Sequence, residues 1–180
     1  MAKYQINKIG ILGGTFDPPH KGHLAISKIA LKKLKLEKVY WIITKKNPFK
    51  QKTYYTLKER LKKIKKILKK IEKIEVLYLD KKLNSSRSID IIKFIRSKKK
   101  PKNLYFLIGS DILTGFHNWK SWKKIVKMVK LIVFSRKGYD KKISKTIVVN
   151  YINKKNITFI NNKPIKISST LLRKKMKKTD

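Results

Sequence analysis

The stretch KIGILGGTFDPPHKGH, residues 8–23, decides the fold. Lys8 to Leu12 is a short β-branched apolar run that stops at Gly13-Gly14, the pattern of a buried strand running into a turn. Pro18-Pro19 stiffens the loop between that turn and the next element. From Lys21 onward Leu24, Ile26, Ile29, Ala30, Leu31 and Leu34 form one broad helical face. In an open α/β sheet, the end of such a strand is where ligands bind. Two glycines let main-chain N–H groups approach a phosphate, and the helix N-terminus adds its positive dipole. His20 and His23 are three apart and share one face of the first helical turn. That arrangement suits charge developing on a transferring phosphoryl or nucleotidyl group. A zinc pair would need further ligands, but the third histidine, His117, lies in another segment and the chain has no Cys.

Working outward, Val39 to Ile43 (VYWII), Ile74 to Leu79 (IEVLYL), Leu104 to Ile108 (LYFLI, closed by Gly109) and Leu131 to Phe134 (LIVF) read as further strands. Segments 146–149 (TIVV) and 157–160 are candidates for more. Leu57, Leu61, Ile64, Leu68 and Ile71 recur at helical spacing with lysines outside. Ser88 to Ser97 reads as a short helix with Ser86 or Ser88 as its N-cap, and Trp119 to Val129 as another. A last helix opens near Ser168 and runs into Lys177. Residues 44–56 have Pro, Asn and no period; a loop of that length is more often functional than accidental. Strands alternating with helices predict one α/β domain over residues 1–180, a parallel sheet with helices on both faces.

Composition sets the outer bounds. A chain of 180 residues, 41% apolar, can bury one continuous core. No stretch free of charged residues exceeds eight, so no membrane span is expected, and the first residues lack a signal-peptide pattern; a cytoplasmic protein is the default. The absence of Cys excludes a disulfide scaffold, an iron–sulfur cluster and a thiolate nucleophile. The net charge of +39 invites a nucleic-acid reading. However, 44 of the 49 cations are Lys and only Arg60, Arg87, Arg96, Arg136 and Arg173 are Arg, whereas base-edge and bidentate phosphate recognition favour Arg. With 26 Ile and 10 Asn against 3 Ala, the bias matches A/T-rich codons. Most lysines are therefore read as solvated surface, and nucleic acid is not expected as a partner.

A second motif answers the first from the far end: Ile167-Ser168-Ser169-Thr170-Leu171-Leu172-Arg173. Three hydroxyls precede an apolar run, so one can cap the helix while others meet an anion, and Arg173 lies one turn further on. GGTFDPPHKGH together with SSTLLR resembles the nucleotidyltransferase superfamily with HxGH and (S/T)xxR-type signatures, most closely its bacterial nicotinate-nucleotide adenylyltransferases. Ser86-Arg87-Ser88-Ile89-Asp90 resembles that family's SYTIDTL element. Leu107 to Asp111 (LIGSD) resembles its strand-end IGxD, and His117-Asn118-Trp119-Lys120 its Trp segment beyond that strand. Asn47-Pro48-Phe49-Lys50 lies where the family has a substrate loop. The likeness runs from residue 8 to 173. Arg87 stands where the family often has Tyr, and the loop has one Pro where more are common.

The resemblance implies a Rossmann-like fold and adenylyl transfer from ATP to nicotinate mononucleotide, giving deamido-NAD and pyrophosphate in NAD biosynthesis. It implies Mg²⁺ accompanying ATP, with no direct side-chain metal ligand expected. His20 and His23 would meet the ATP phosphates, and the backbone of Gly13, Gly14 and Thr15 would hold nucleotide and mononucleotide phosphate. Ser169, Thr170 and Arg173 would hold the β- and γ-phosphates, and Asp111 would contact ribose or the metal-bound side. Trp119 would stack on the pyridine ring, with Ser88 and Lys50 on the same side. Each has a plainer rival: Trp119 and Trp122 as core packing, Asp111 as a cap of the helix after it, Asp17 as a turn-former. Phosphopantetheine adenylyltransferase and a nicotinamide-preferring enzyme are the nearest alternatives, and homo-oligomer formation is left open.

Overall fold

The computed structural model describes residues 7–45, 53–136, 138, 140–162 and 167–176. In chain order the elements are β1 (Lys8–Gly14), α1 (Lys21–Lys33), β2 (Lys38–Ile43), α2 (Leu57–Leu68), β3 (Ile74–Tyr78), α3 (Asp80–Leu83), α4 (Ser88–Lys99), β4 (Asn103–Gly109), α5 (Ser110–Leu113), α6 (Trp122–Met128), β5 (Lys130–Phe134), α7 (Ile147–Tyr151), β6 (Ile157–Ile160) and α8 (Ser169–Met176). Short 3₁₀ turns precede α6, α7 and β6.

The six strands make one parallel sheet in the order β3-β2-β1-β4-β5-β6. Alternate residues of each strand serve opposite layers, as a sheet buried on both faces requires. Ile9, Ile11, Ile42, Phe106 and Val133 pack with Ile92 and Ile95 of α4 and Ile125 of α6. Leu12, Trp41, Ile43, Leu107 and Phe134 pack with Ala30 of α1 and Ile64 of α2. Gly10 faces this second layer, where a Cβ would come within 2.8 Å of the Leu36 side chain.

The chain builds β1, β2 and β3 toward one edge, then returns to the other side of β1 with β4. That reversal leaves a crevice outside the carboxyl ends of β1 and β4, where ligands bind in sheets of this kind. The expected parallel α/β sheet with helices on both faces is present, and no helix among the described residues is long and apolar enough to cross a membrane.

Three local expectations are overturned. The TIVV segment is helical, because Thr146 Oγ1 accepts from Val149 N, Val148 is fully buried in the core and Val149 packs against its edge while Ile147 is exposed. The helix expected from Trp119 starts at Trp122: Ser121 sits in the left-handed region (φ 60°), which lets Trp119 fold back onto Phe116. The N-cap of α4 is Arg87, with no side-chain cap; Ser85, not Ser86 or Ser88, takes the Arg87 N–H and donates to Asp90.

Candidate active site at the carboxyl ends of β1 and β4

Phe16 begins the site's local geometry. It sits in the left-handed region (φ 49°), rarely adopted by a bulky residue, and packing holds it there. Its ring stacks on Trp41 at 5.0 Å and lies 4.7 Å from the His23 imidazole. Trp41 in turn donates to Ser27 Oγ, which donates to the His23 carbonyl. The turn therefore enters α1 against a fixed aromatic wall.

The two histidines form the helix cap themselves. His20 Nδ1 accepts from Gly22 N at 3.1 Å, and His23 Nδ1 accepts from His20 N at 3.2 Å, a reciprocal capping box. With each Nδ1 an acceptor, the neutral ring carries its proton on Nε2. The rings stack with centroids 3.8 Å apart, so the pair offers two adjacent Nε2–H donors.

Both rings are neutral at physiological pH. Burial, then the Arg136 charge, lowers His20 to about 4; burial, His20 and Arg136 lower His23 to about 3. The unfolded chain takes up these protons near pH 6.5 and the folded chain does not, so acid favours unfolding across that gap. The stabilising contribution is complete above pH 6.5 and is lost as pH falls toward 4 and 3. The thermal midpoint of the wild-type chain is expected to fall with pH over this window more steeply than that of a His20→Asn/His23→Asn variant. Parallel pH profiles for the two would contradict the assignment.

Arg136, just past β5, is a site residue that the motifs do not mark. Its Nη1 pairs with Asp111 Oδ2 at 2.5 Å, and its N–H donates to the buried Ser110 Oγ at 2.9 Å. The one signal in the sequence is its position: an arginine two residues after a strand, at the ligand-binding end of the sheet. Asp111, in the first turn of α5, has its Oδ1 buried and without a hydrogen bond; a Cβ at Gly109 would come within 2.4 Å of that oxygen, so the carboxylate packs directly against the end of β4.

The second motif reaches the first across the whole chain. Ser168 Oγ accepts from Leu171 N and caps α8, leaving Ser169 and Thr170 in its first turn. Ser169 Oγ donates to the Pro18 carbonyl at 2.9 Å, and Arg173 donates to the Asp17 carbonyl and, at 3.2 Å, to Thr170 Oγ1. Asp17 is 4% exposed and does more than form a turn. Its carboxylate accepts from Tyr54 N and Tyr55 N and lies 3.9 Å from Arg173.

On the pyridine side, Trp119 is half-buried, stacked on Phe116 at 4.8 Å and edge-on to Phe106 at 6.2 Å, so core packing occupies one face of its indole. Trp122 packs edge-on against Tyr151 instead. Ser88 is the first residue of α4, placed by topology at the same end of the sheet but outside the histidine–arginine cluster. Lys50 and its neighbours Asn47, Pro48 and Phe49 lie outside the described residues. Gly13 and Gly14 end β1, with the Gly14 carbonyl accepting from Thr44 N. Among the described residues no three His, Cys, Asp or Glu side chains cluster as a metal cage.

The sequence pattern of the cytidylyltransferase-like family matches residues 11–175. A probable nicotinate-nucleotide adenylyltransferase of Pelagibacter ubique (strain HTCC1062) is 48% identical over 167 residues, covering 93% of this chain and 92% of the relative. One from Clostridium tetani (strain Massachusetts / E88) is 36% identical over 177 residues, covering 96% of this chain and 88% of its own. Among solved structures, the Plasmodium falciparum nicotinic acid mononucleotide adenylyltransferase complexed with NaAD superposes with a TM-score of 0.73 at 22% identity, covering 93% of this chain and 83% of that one. That likeness is one of fold.

Proposed function

The chain belongs to the cytidylyltransferase-like family, among its nicotinate-nucleotide adenylyltransferases, and from that premise we propose how this site carries out the reaction. The enzyme transfers the adenylyl group of ATP to nicotinate mononucleotide, giving deamido-NAD and pyrophosphate, a step of NAD biosynthesis. A phosphate oxygen of the mononucleotide forms a bond to the α-phosphorus, and the bond from that phosphorus to the bridging β-phosphate oxygen breaks. The attacking oxygen is already ionised at neutral pH, so no general base is required. What the protein supplies is alignment and donors aimed at the charge that develops.

The observation that carries this reading is the stacked, neutral His20–His23 pair, whose capping bonds engage Nδ1 and leave the Nε2–H groups to face a ligand. A neutral donor pair binds phosphate oxygens without an internal charge repulsion between the rings. Ser169, Thr170 and Arg173 take the β- and γ-phosphates, with Ser169 and Arg173 exchanging their bonds to residues 17–18 for bonds to the nucleotide. The Gly13–Thr15 backbone meets the phosphates from below, and Arg136 adds a cation beside the histidines. Asp111 faces the ribose or the metal-bound side, the exposed face of Trp119 meets the pyridine ring with Ser88 at the same end of the sheet, and the assignment of Lys50 to the pyridine substrate rests on the sequence resemblance alone.

A Mg²⁺ accompanying ATP would be held by phosphate oxygens and water with no direct side-chain ligand, and the Asp111 carboxylate, whose Oδ1 has no hydrogen bond, would face that side. Bound there, the ion would neutralise charge on the triphosphate. The substrates and the fold of a small enzyme of nucleotide metabolism support a cytoplasmic location.

The test is pyrophosphate release from Mg-ATP with nicotinate mononucleotide, nicotinamide mononucleotide or phosphopantetheine at equal concentration. The nicotinate form is expected to give the highest kcat/KM. Preference for another acceptor would move the substrate assignment while keeping the nucleotidyl chemistry, and no release with any of the three would overturn it.

A further inference from the structure

We propose that Arg60, remote from the histidines in sequence and buried on α2, is a positioning residue for adenylyl transfer that fixes the β1 turn and the chain on both sides of residues 46–52. It is 1% exposed. Its guanidinium donates to five main-chain carbonyls from three segments. Nη1 reaches Thr15 O at 2.6 Å and Thr44 O at 2.8 Å, Nη2 reaches Lys45 O at 2.8 Å, and Nε is shared between Tyr55 O and Thr56 O at 3.2 and 3.3 Å.

The rest of α2's buried stripe is aliphatic, and an arginine there carries a desolvation cost that an isoleucine would not. The surroundings offset it. Asp17 and Asp80 lie close enough to act on its charge. Each also holds main-chain N–H groups of the same segments: Asp80 Oδ2 accepts from Lys45 N at 2.7 Å, and Asp17 accepts from Tyr54 N and Tyr55 N. One cation gathers the carbonyls and two carboxylates gather the amides.

The location argues for alignment over bulk stability. Thr15 ends the glycine turn whose backbone faces the phosphates, and Thr44 and Lys45 leave β2 at the carboxyl edge of the sheet. Asp17 joins the network to Arg173, so the same side chains border both the nucleotide and the acceptor sides. A guanidinium spreads five N–H donors over three nitrogens and reaches all five carbonyls, whereas a lysine has three donors on a single nitrogen and cannot span them.

The inference rests on the adenylyl-transfer reading, and its test compares Arg60→Lys with Ile64→Val by steady-state pyrophosphate release from Mg-ATP and nicotinate mononucleotide. Ile64 is fully buried one turn along α2, so its shortening lowers the thermal midpoint without touching the network. Arg60→Lys is expected to lower kcat by about 10–100-fold with a smaller change in KM for ATP, at a temperature where circular dichroism shows it folded. Ile64→Val is expected to keep the wild-type kcat. Wild-type kinetics in Arg60→Lys, or a kcat loss in Ile64→Val in proportion to its lowered midpoint, would overturn the proposal. Should Arg60→Lys not fold, Asp80→Ala decides: reduced kcat in a folded protein supports positioning, and wild-type kinetics overturn it. Failure of the underlying reading is visible separately, as wild-type protein that releases no pyrophosphate.

Discussion

His20→Asn folds as the wild type does and loses about 10²–10³-fold in kcat, the usual cost of removing one donor from a charge-stabilising site. Asparagine places its side-chain oxygen near the position of Nδ1, so the acceptor for Gly22 N survives while the Nε2 donor is gone. His20→Ala loses both and adds about 1 kcal/mol of lost capping. His23→Asn behaves like His20→Asn for the same reason, since its Nδ1 serves His20 N. The double variant loses much less than the product of the two single losses, because adjacent donors to one triphosphate act as a unit. Near-wild-type kcat in either asparagine variant, with an unchanged far-ultraviolet spectrum, would end the assignment of this pair to the phosphates.

Arg173→Ala lowers kcat/KM for ATP by about 10–100-fold, the range expected for losing hydrogen bonds from a charged donor. Here the resting contacts matter. Arg173 already donates to the Asp17 carbonyl and Thr170 Oγ1, and these bonds must be exchanged on nucleotide binding. Breaking them offsets part of the gain from binding phosphate. Arg173→Lys keeps a charge but not the fork and falls between the two. Because Arg173 also neighbours the buried Asp17 carboxylate, its loss lowers the unfolding midpoint as well, and the kinetics are compared at a temperature where circular dichroism shows the variant folded. If KM for ATP and kcat are both unchanged in Arg173→Ala, Arg173 contributes no phosphate contact.

The sheet was legible because its strands are short apolar runs, two of them ending at glycines (KIGIL before Gly13 and LYFLI before Gly109), and because α2 repeats Leu and Ile at a helical interval. TIVV misled because a β-branched run of four has no period of its own; the Thr146 cap and the burial of Val148 decided it. Ser121 was invisible, since nothing local asks a serine to adopt a positive φ. In the site, the histidines and the serine–arginine motif stood out as rare residue types at helical spacing. Arg60 was hidden among 49 cations, although its register betrayed it: three after Leu57 and four before Ile64, it falls on the apolar stripe where the lysines do not. The dual duty of Asp17 joins residues 17, 54, 55 and 173, which no sequence pattern links.

The bonds from Ser169 to Pro18 and from Arg173 to Asp17 span 151 and 156 residues. A ribosome delivers the histidine turn long before the opposite wall of the site. All six strands emerge before α8 does, so a nascent chain can assemble its sheet while one side of the triphosphate cradle is still untranslated. Nucleotide competence thereby waits on the synthesis of α8, and a chain released just past β6 would carry the sheet yet be inert.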